Sequence, residues 1–381
     1  MPLSFHINAR QGAARRGRLV TPHGTVETPV FMPVGTLANV KGVPHSFLEE
    51  LGVEILLSNT YHLFLRPGAE MMRQLGGLHR FMSWDRAILT DSGGFQVWSL
   101  SELRKITEEG VQFRSHLDGS LHMLGPETAT AAQIAIGADI IMAFDECTEH
   151  PAEKGRARES MELSLRWAER CKRYFEAHKH ECPWAGENAG EQPQTQALFG
   201  IVQGGMYSDL RRESAQRTVE LDLPGYAIGG LSVGEPRDLT REVVAATLEH
   251  LPQDRPRYLM GVGTPEEIVE YARMGVDMMD CVLPTRAARH GLLFTSEGKI
   301  TIKNARFAAD QNPADPNCGC PVCRRYSRAY LRHLYSSNEV LAQVLNTVHN
   351  LAFYLKTMGT VRECVMRDSA EVSAMPGSSG N

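Results

Sequence analysis

Eight short apolar runs, most of them ending in Gly, Asp or Asn, restrict the fold of this chain more than any other feature. They cover residues 30–34, 53–58, 86–90, 139–144, 197–202, 226–228, 257–260 and 277–281. Amphipathic stretches with helical spacing separate several of them, at 126–136, 161–176, 208–220, 237–250 and 265–274. Runs this short, bounded by turn residues, suit strands buried on both faces, and their alternation with helices predicts a parallel sheet. Eight such units favour an α/β fold of the (β/α)8 TIM-barrel type. An open doubly wound sheet is the alternative, but no G-x-G-x-x-G opens the chain.

Alternation over residues 3–7, with Pro22 and Gly24 further on, predicts an antiparallel hairpin region over 1–29, with the barrel taking 30–381. The arginines near the start (Arg10, Arg15, Arg16, Arg18) are not accompanied by the apolar core of a secretory signal. His178–Gln196, with Pro183, Gly186, Gly190 and Pro193, is expected to be a surface loop. The tail 368–381 is expected to be disordered.

An apolar content of 42% and a charged content of 22% belong to a globular protein in water, and no apolar run is long enough to span a membrane. The net charge of −5 does not advertise a nucleic-acid partner, but its distribution does. Between Cys281 and Tyr335, nine Lys and Arg stand against three Asp and Glu, enough for a basic face that holds a polyanion. Eight cysteines are too few for a disulfide scaffold at 381 residues. Three of them cluster, which points to metal in a reducing cytoplasm.

In a barrel the C-terminal ends of the strands converge on one catalytic face, and here those ends are chemically unusual. Asp91-Ser92-Gly93-Gly94-Phe95 follows the third run, Asp145 ends the fourth and Gln203 the fifth. Gly230-Leu231 follows the sixth, Met260-Gly261-Val262-Gly263 the seventh, and Asp280 lies in the eighth. A carboxylate inside so apolar a run is costly unless it is paired or used. Pro284 is expected to end that strand, with Arg286 and Arg289 on the loop beyond it. Two readings of Asp280 follow: chemistry on a phosphate-bearing substrate, or a structural ion pair with Arg286.

Cys318-Gly319-Cys320-Pro321-Val322-Cys323 supplies three thiolates in a C-x-C-x-x-C knuckle, with His333 and His349 downstream. Three cysteines and a histidine suit a four-coordinate zinc site with no open position, hence a structural one. Spacing alone does not choose between the two histidines.

The rim motifs, in order, resemble those of the bacterial tRNA-guanine transglycosylases. The matching segments are Asp91-Ser-Gly-Gly-Phe-Gln-Val, Phe144-Asp-Glu-Cys, Val202-Gln-Gly-Gly, Gly229-Gly-Leu-Ser-Val-Gly-Glu, Tyr258-Leu-Met-Gly-Val-Gly and Asp280-Cys-Val-Leu-Pro-Thr-Arg. Asn304-Ala-Arg-Phe, the cysteine knuckle and Ser327-Arg-Ala-Tyr-Leu match as well, so the resemblance runs from about Phe5 to about Met366. It implies a barrel with an inserted zinc subdomain at about 305–355, and His349 as the fourth ligand beside Cys318, Cys320 and Cys323. Departures are small: a longer 178–196 loop, Gly205 where some relatives carry Ser, and Phe95 where others carry Tyr.

The resemblance also implies an activity, the exchange of the wobble guanine of GUN-anticodon tRNAs (those for aspartate, asparagine, histidine and tyrosine) for the queuosine precursor preQ1. It implies Asp280 as nucleophile at ribose C1′ and Asp91 as general acid/base. Ser92, Gly93, Gly94, Phe95, Asp145, Gln203, Gly230, Leu231 and Met260 are then expected to hold the base. Val233 and Cys147 are expected to leave no room for the larger queuine, whose eukaryotic users carry Gly at the first position and lack the second. The segments Gly261, Val262, Gly263, Thr264, Pro265, Glu266, Glu267 and Thr285, Arg286, Ala287, Ala288, Arg289 are expected to meet the anticodon loop. A cytoplasmic homodimer is expected, with Tyr326, Tyr330, His333 and Leu334 as one stripe on a basic helix. A metal-dependent barrel hydrolase would need His ligands at the strand ends, which this chain lacks; a hydrolytic N-glycosidase would use the same carboxylate pair.

Overall fold

The computed structural model describes residues 3–100, 104–186 and 194–374. A three-stranded antiparallel sheet comes first: β1 (Ser4–Gln11), β2 (Ala14–Thr21) and β3 (Gly24–Thr28). The barrel begins with β4 (Val30–Met32), β5 (Ile55–Ser58) and β6 (Ala87–Thr90). A second antiparallel sheet interrupts it, β7 (Arg104–Thr107), β8 (Gly110–Arg114) and β9 (Leu121–Leu124), which the sequence patterning did not predict. The barrel resumes with β10 (Ile140–Met142), β11 (Ala197–Val202), β12 (Tyr226–Ile228), β13 (Arg257–Leu259) and β14 (Met278–Asp280). All eight apolar runs are therefore strands. The five predicted helices are present as well; the second starts earlier than expected and runs Lys154–His178.

The eight parallel strands are ordered β4-β14-β13-β12-β11-β10-β6-β5. Closure comes from the chain just beyond β4, where Gly35 N–H donates to the Leu57 carbonyl at 2.6 Å and Leu57 N–H to that of Pro33 at 3.0 Å. Alternate residues face inward, so Val30, Met32, Ile55, Leu57, Leu89, Met142, Phe199 and Met278 fill the barrel. Leu56, Ile88, Ile141, Leu198, Ile228 and Met279 belong to the outer core beneath the helices. The first sheet plugs the N-terminal end of the barrel with Leu19 and Val26.

Arg15 of β2 anchors that plug. Both its side chain and that of Asp277 are fully buried, and Arg15 Nε donates to Asp277 Oδ1 at 2.8 Å while Nη2 donates to Oδ2. Arg15 also donates to the carbonyls of Gln253 and Arg255. Beyond β14, the hairpin β15 (Leu292–Thr295) and β16 (Gly298–Thr301) leads to the cysteine knuckle, and the chain returns along the helix Val340–Ala374. That helix enters the segment 368–381 that was expected to be disordered; 375–381 lie outside the described residues.

Three local expectations are corrected. Residues 283–289 are not a loop but the helix Leu283–Arg289, because proline is tolerated in a first turn, where its missing N–H has no helical partner in any case. Cys182 and Trp184 of the expected surface loop are buried, and Trp184 Nε1 donates to the Gly137 carbonyl at 2.7 Å; residues 187–193 lie outside the described residues. Asp280 makes no ion pair among the described residues, with Arg286 or with any other cation, and is satisfied by neutral donors instead.

Breaking a buried ion pair from one side leaves the other charge uncompensated, at about 3–5 kcal/mol. Asp277→Asn should therefore lower the urea midpoint of unfolding by a loss of about 3 kcal/mol or more, with the slope unchanged.

Candidate active site

Strand periodicity aims the rim. Asp280 lies two residues beyond Met278, Asp91 two beyond Leu89 and Met260 two beyond Tyr258, so each continues an inward-facing row past the last apolar layer. They open into a cavity of about 510 Å³ whose walls include Asp91, Asp145, Leu231, Tyr258, Asp280 and Arg286.

Asp280 is 8% exposed. Its Oδ1 accepts from the Tyr258 hydroxyl at 2.6 Å and from the Gly261 N–H at 2.9 Å. No donor reaches Oδ2 among the described residues, so the carboxylate is held by one oxygen and presents the other. Burial pushes its pKa above the usual carboxylate value, against the lowering effect of these two donors and of its own backbone N–H. Tyr258 was not singled out in the sequence. A phenol on an inward barrel position must find an acceptor, and that requirement was the available signal.

Asp91 faces the same cavity and accepts from Asn59 Nδ2 at 2.6 Å and the Thr60 N–H at 2.8 Å. Burial raises its pKa to about 6, and the neighbouring charge of Asp280 adds to the rise. Asn59 and Thr60 were also missed, since nothing marks them before the rim is assembled.

Asp145 is likewise buried and raised, with Ser92 Oγ and Gln203 Nε2 each donating to one of its oxygens at 2.7 Å. Gln203 stands behind Asp145 and does not itself line the cavity. Gly94 is required by packing, because a Cβ there would collide with the Asp145 carbonyl. Gly93 has φ +83 and packs against Leu124 and Tyr61. Phe95 is exposed at the mouth and Met260 half-buried inside it.

Of the two segments expected to meet RNA, Val262, Thr264, Pro265, Thr285, Ala287 and Ala288 are buried, and Gly261, Gly263, Glu266 and Arg286 are accessible. Thr264 caps the helix Pro265–Arg273 in a reciprocal box with Glu267, which also pairs with Arg237 at 2.9 Å. Arg286 and Arg289 share one face of their helix, and Arg289 Nη1 is buried without a hydrogen-bond partner.

Outside the cavity, Cys318, Cys320, Cys323 and His349 bring their ligand atoms within 4.8 Å of one another. His349 Nδ1 lies 3.2 Å from Cys323 Sγ and 3.7 Å from Cys320 Sγ. Its Nε2 donates to the Phe294 carbonyl at 2.9 Å, which turns Nδ1 toward the sulfurs as the ligand atom. The donor set fits a metal ion, and His333, the other candidate, is exposed elsewhere. A second group, His23, His79 and Asp139, does not fit one. Its rings stack 3.5 Å apart at 15°, so their in-plane lone pairs run parallel and cannot converge on an ion. Instead both rings clamp Asp139, which also accepts the N–H groups of His23 and Ile88 at the closed end of the barrel.

Two buried carboxyls, both raised above the usual carboxylate value and facing one cavity on a barrel rim, suit the class of enzymes whose chemistry runs through carboxyl groups. Comparison with known proteins gives the particular family. The family model described as queuine tRNA-ribosyltransferase matches residues 10–374. The queuine tRNA-ribosyltransferase of Koribacter versatilis is 71% identical over 373 residues, which cover 98% of this chain and 96% of the relative. That of Thermoanaerobacter pseudethanolicus is 56% identical over 355 residues, covering 93% and 91%. The Bacillus licheniformis protein of the same name is 55% identical over 359 residues, covering 94% and 90%. The chain belongs to this family, the tRNA-guanine transglycosylases, which are pentosyltransferases acting on tRNA and a guanine-type base.

Two expectations follow from the site. Below about pH 4 the folded and unfolded chains both hold the Asp91 proton; between 3.8 and about 6 only the folded chain does, so its relative stability falls as pH rises and then levels. Asp91→Asn, once the Asn59 amide flips to meet it, should gain stability over wild type from pH 4 to pH 7, by about 3 kcal/mol at the plateau. Paired thermal melts across that range measure it. Cys320→Ser should lose bound metal and lower the melting temperature, read by metal analysis and calorimetry; full metal content with an unchanged melt would remove the assignment.

Proposed function

We propose that this chain exchanges the wobble guanine of GUN-anticodon tRNAs for preQ1 by double displacement through Asp280. The observation that carries this reading is the asymmetry of Asp280: Oδ1 is fixed by Tyr258 and Gly261, and Oδ2 faces the cavity opposite a carboxyl raised to about 6. In the first half-reaction Oδ2 attacks ribose C1′ while Asp91 gives its proton to the departing guanine nitrogen. The C1′–N bond breaks and a C1′–O ester forms with inversion. In the second, Asp91 takes the ring proton of the incoming base, whose nitrogen displaces Asp280 with a second inversion. Configuration is retained and Asp91 returns to its starting state.

Recognition of guanine follows from its edge. Asp145, aligned by Ser92 and Gln203, accepts from N1–H and the exocyclic amine. The Gly230 N–H serves O6, with Gln203 acting only from behind by aligning Asp145, and Phe95 and Met260 take the two faces of a base flipped out of its stack. Leu231 and Cys147 line the cavity toward the substituent of the base, and Val233, which lies outside that lining, is the β-branched side chain that would favour the small aminomethyl arm over queuine. Arg286 and Arg289, with the accessible part of 261–267, meet the anticodon loop, and the basic region beyond Cys281 holds phosphates.

The metal is zinc, and Cys318, Cys320, Cys323 and His349 Nδ1 would hold it. With four protein ligands it supplies folding energy to the inserted segment. No described helix is long and apolar enough to cross a membrane. A cytoplasmic homodimer is part of the proposal, on the family resemblance alone. The stripe offered for dimerisation is divided: Tyr330 and His333 are exposed, whereas Leu334 belongs to the core.

The test is incubation with GUN-anticodon tRNA and radiolabelled guanine. Label should enter intact tRNA, preQ1 should chase it out far better than queuine, and wild type should form a denaturation-resistant enzyme–RNA adduct. Asp280→Asn should form none. Release of guanine to water without incorporation would mark a hydrolase instead.

A further inference from the structure

Arg211 stands behind the cavity wall, wholly buried on the helix Ser208–Val219. No carboxylate pairs with it among the described residues. Its guanidinium donates to three backbone carbonyls: Nε to Gly205 at 2.8 Å, and Nη1 to Val202 at 2.9 Å and Gly229 at 2.8 Å. A buried guanidinium without an anion is costly, and burial pushes its pKa down to about 10. Its Nη2 has no hydrogen-bond partner and lies on the Gly230 side, 3.4 Å from where a Cβ of that residue would stand. Simple packing would not call for such a group here.

The carbonyls it holds are those that govern the wall of the site. The Gly229–Gly230 peptide is trans, so its C=O and N–H point in opposite directions. The carbonyl points back to Arg211. Gly229 and Gly230 line the cavity and Arg211 does not, so the Gly230 N–H is aimed inward. The Val202 carbonyl belongs to the peptide that begins Gln203, and Gln203 Oε1 packs against Gly230, where a Cβ would collide with it. One fork therefore sets both groups. We propose that Arg211 is a positioning residue that, without touching the base, fixes the Gly230 N–H as the donor selecting a base with a carbonyl oxygen at its six-position. Were this peptide to turn over, it would present an oxygen to that oxygen.

The proposal rests on the guanine-exchange reading above, and its test separates the two. Equilibrium dialysis of the full chain with guanine and with 2-aminopurine, which lacks the six-position oxygen, gives an affinity ratio for wild type, Arg211→Met and Arg211→Gln. Wild type should prefer guanine by about tenfold or more, since a site built to donate rejects an analogue without the acceptor. Both variants should lose most of that preference, with 2-aminopurine affinity changing by less than about twofold. A merely structural role would weaken the two bases alike and leave the ratio intact. A preserved ratio in either variant that retains a cooperative melt overturns the proposal, and the Gln variant, which keeps an amide donor, decides it if the Met variant does not fold. Wild type that binds no guanine overturns the functional reading and this proposal together, whereas a preserved ratio overturns this proposal alone.

Discussion

Closure of the barrel between Pro33–Gly35 and Leu57 is the constraint on which the rest depends. A parallel sheet left open there would spread its strand ends along a line. Closed, it gathers Asp91, Asp145, Tyr258 and Asp280 around one cavity although their sequence positions are widely separated. The interior is apolar up to the last layer, with Leu89 and Met278 immediately beneath the two carboxylates. Low dielectric from below and neutral donors from the side do the electrostatic work, and burial is the largest influence on Asp91, Asp145 and Asp280 alike.

That arrangement costs the folded chain stability at neutral pH, where carboxyls raised by burial must ionise. The closed end of the barrel meets the same burial with different partners: Asp139 sits between His23 and His79, and Asp277, itself raised by burial, faces Arg15, each carboxylate with cationic or ring N–H partners and backbone donors. The same residue type thus meets charged and ring partners at one end and neutral donors at the other, and its donors, not its depth, distinguish the two.

Much of this was legible in the sequence, because both the strand and the helix periods are strong in this chain. The eight apolar runs gave strands, and the polar residues at their ends lie on the rim because inward-facing positions recur every second residue. Three things were hidden. The β7–β9 sheet has strands of only four or five residues, and even the alternation of Val111 and Phe113 with Gln112 and Arg114 in β8 is too short to stand out from a loop. The helix Leu283–Arg289 was masked by Pro284, which stops a strand but also suits a first helical turn. Tyr258, Asn59 and Arg211 act through hydrogen bonds that exist only once distant segments meet, so no local pattern marks them.

The order of strands around the barrel has a consequence for synthesis. β4, the first barrel strand made, pairs with β14, the last, through Val30–Met278, Phe31–Met279 and Asp280–Met32. While the chain is still emerging from the ribosome, β4 can find β5 but not its other neighbour, and one edge of the nascent sheet stays unsatisfied. The plug is no better placed, since Arg15 waits for Asp277 over the same span. The ring is therefore completed late, by contacts of very long sequence separation, which is the slow regime of folding. The residue that ends this last-made strand is Asp280, so the strand that seals the ring also delivers a buried carboxyl to the cavity, and no partly made chain carries a finished rim.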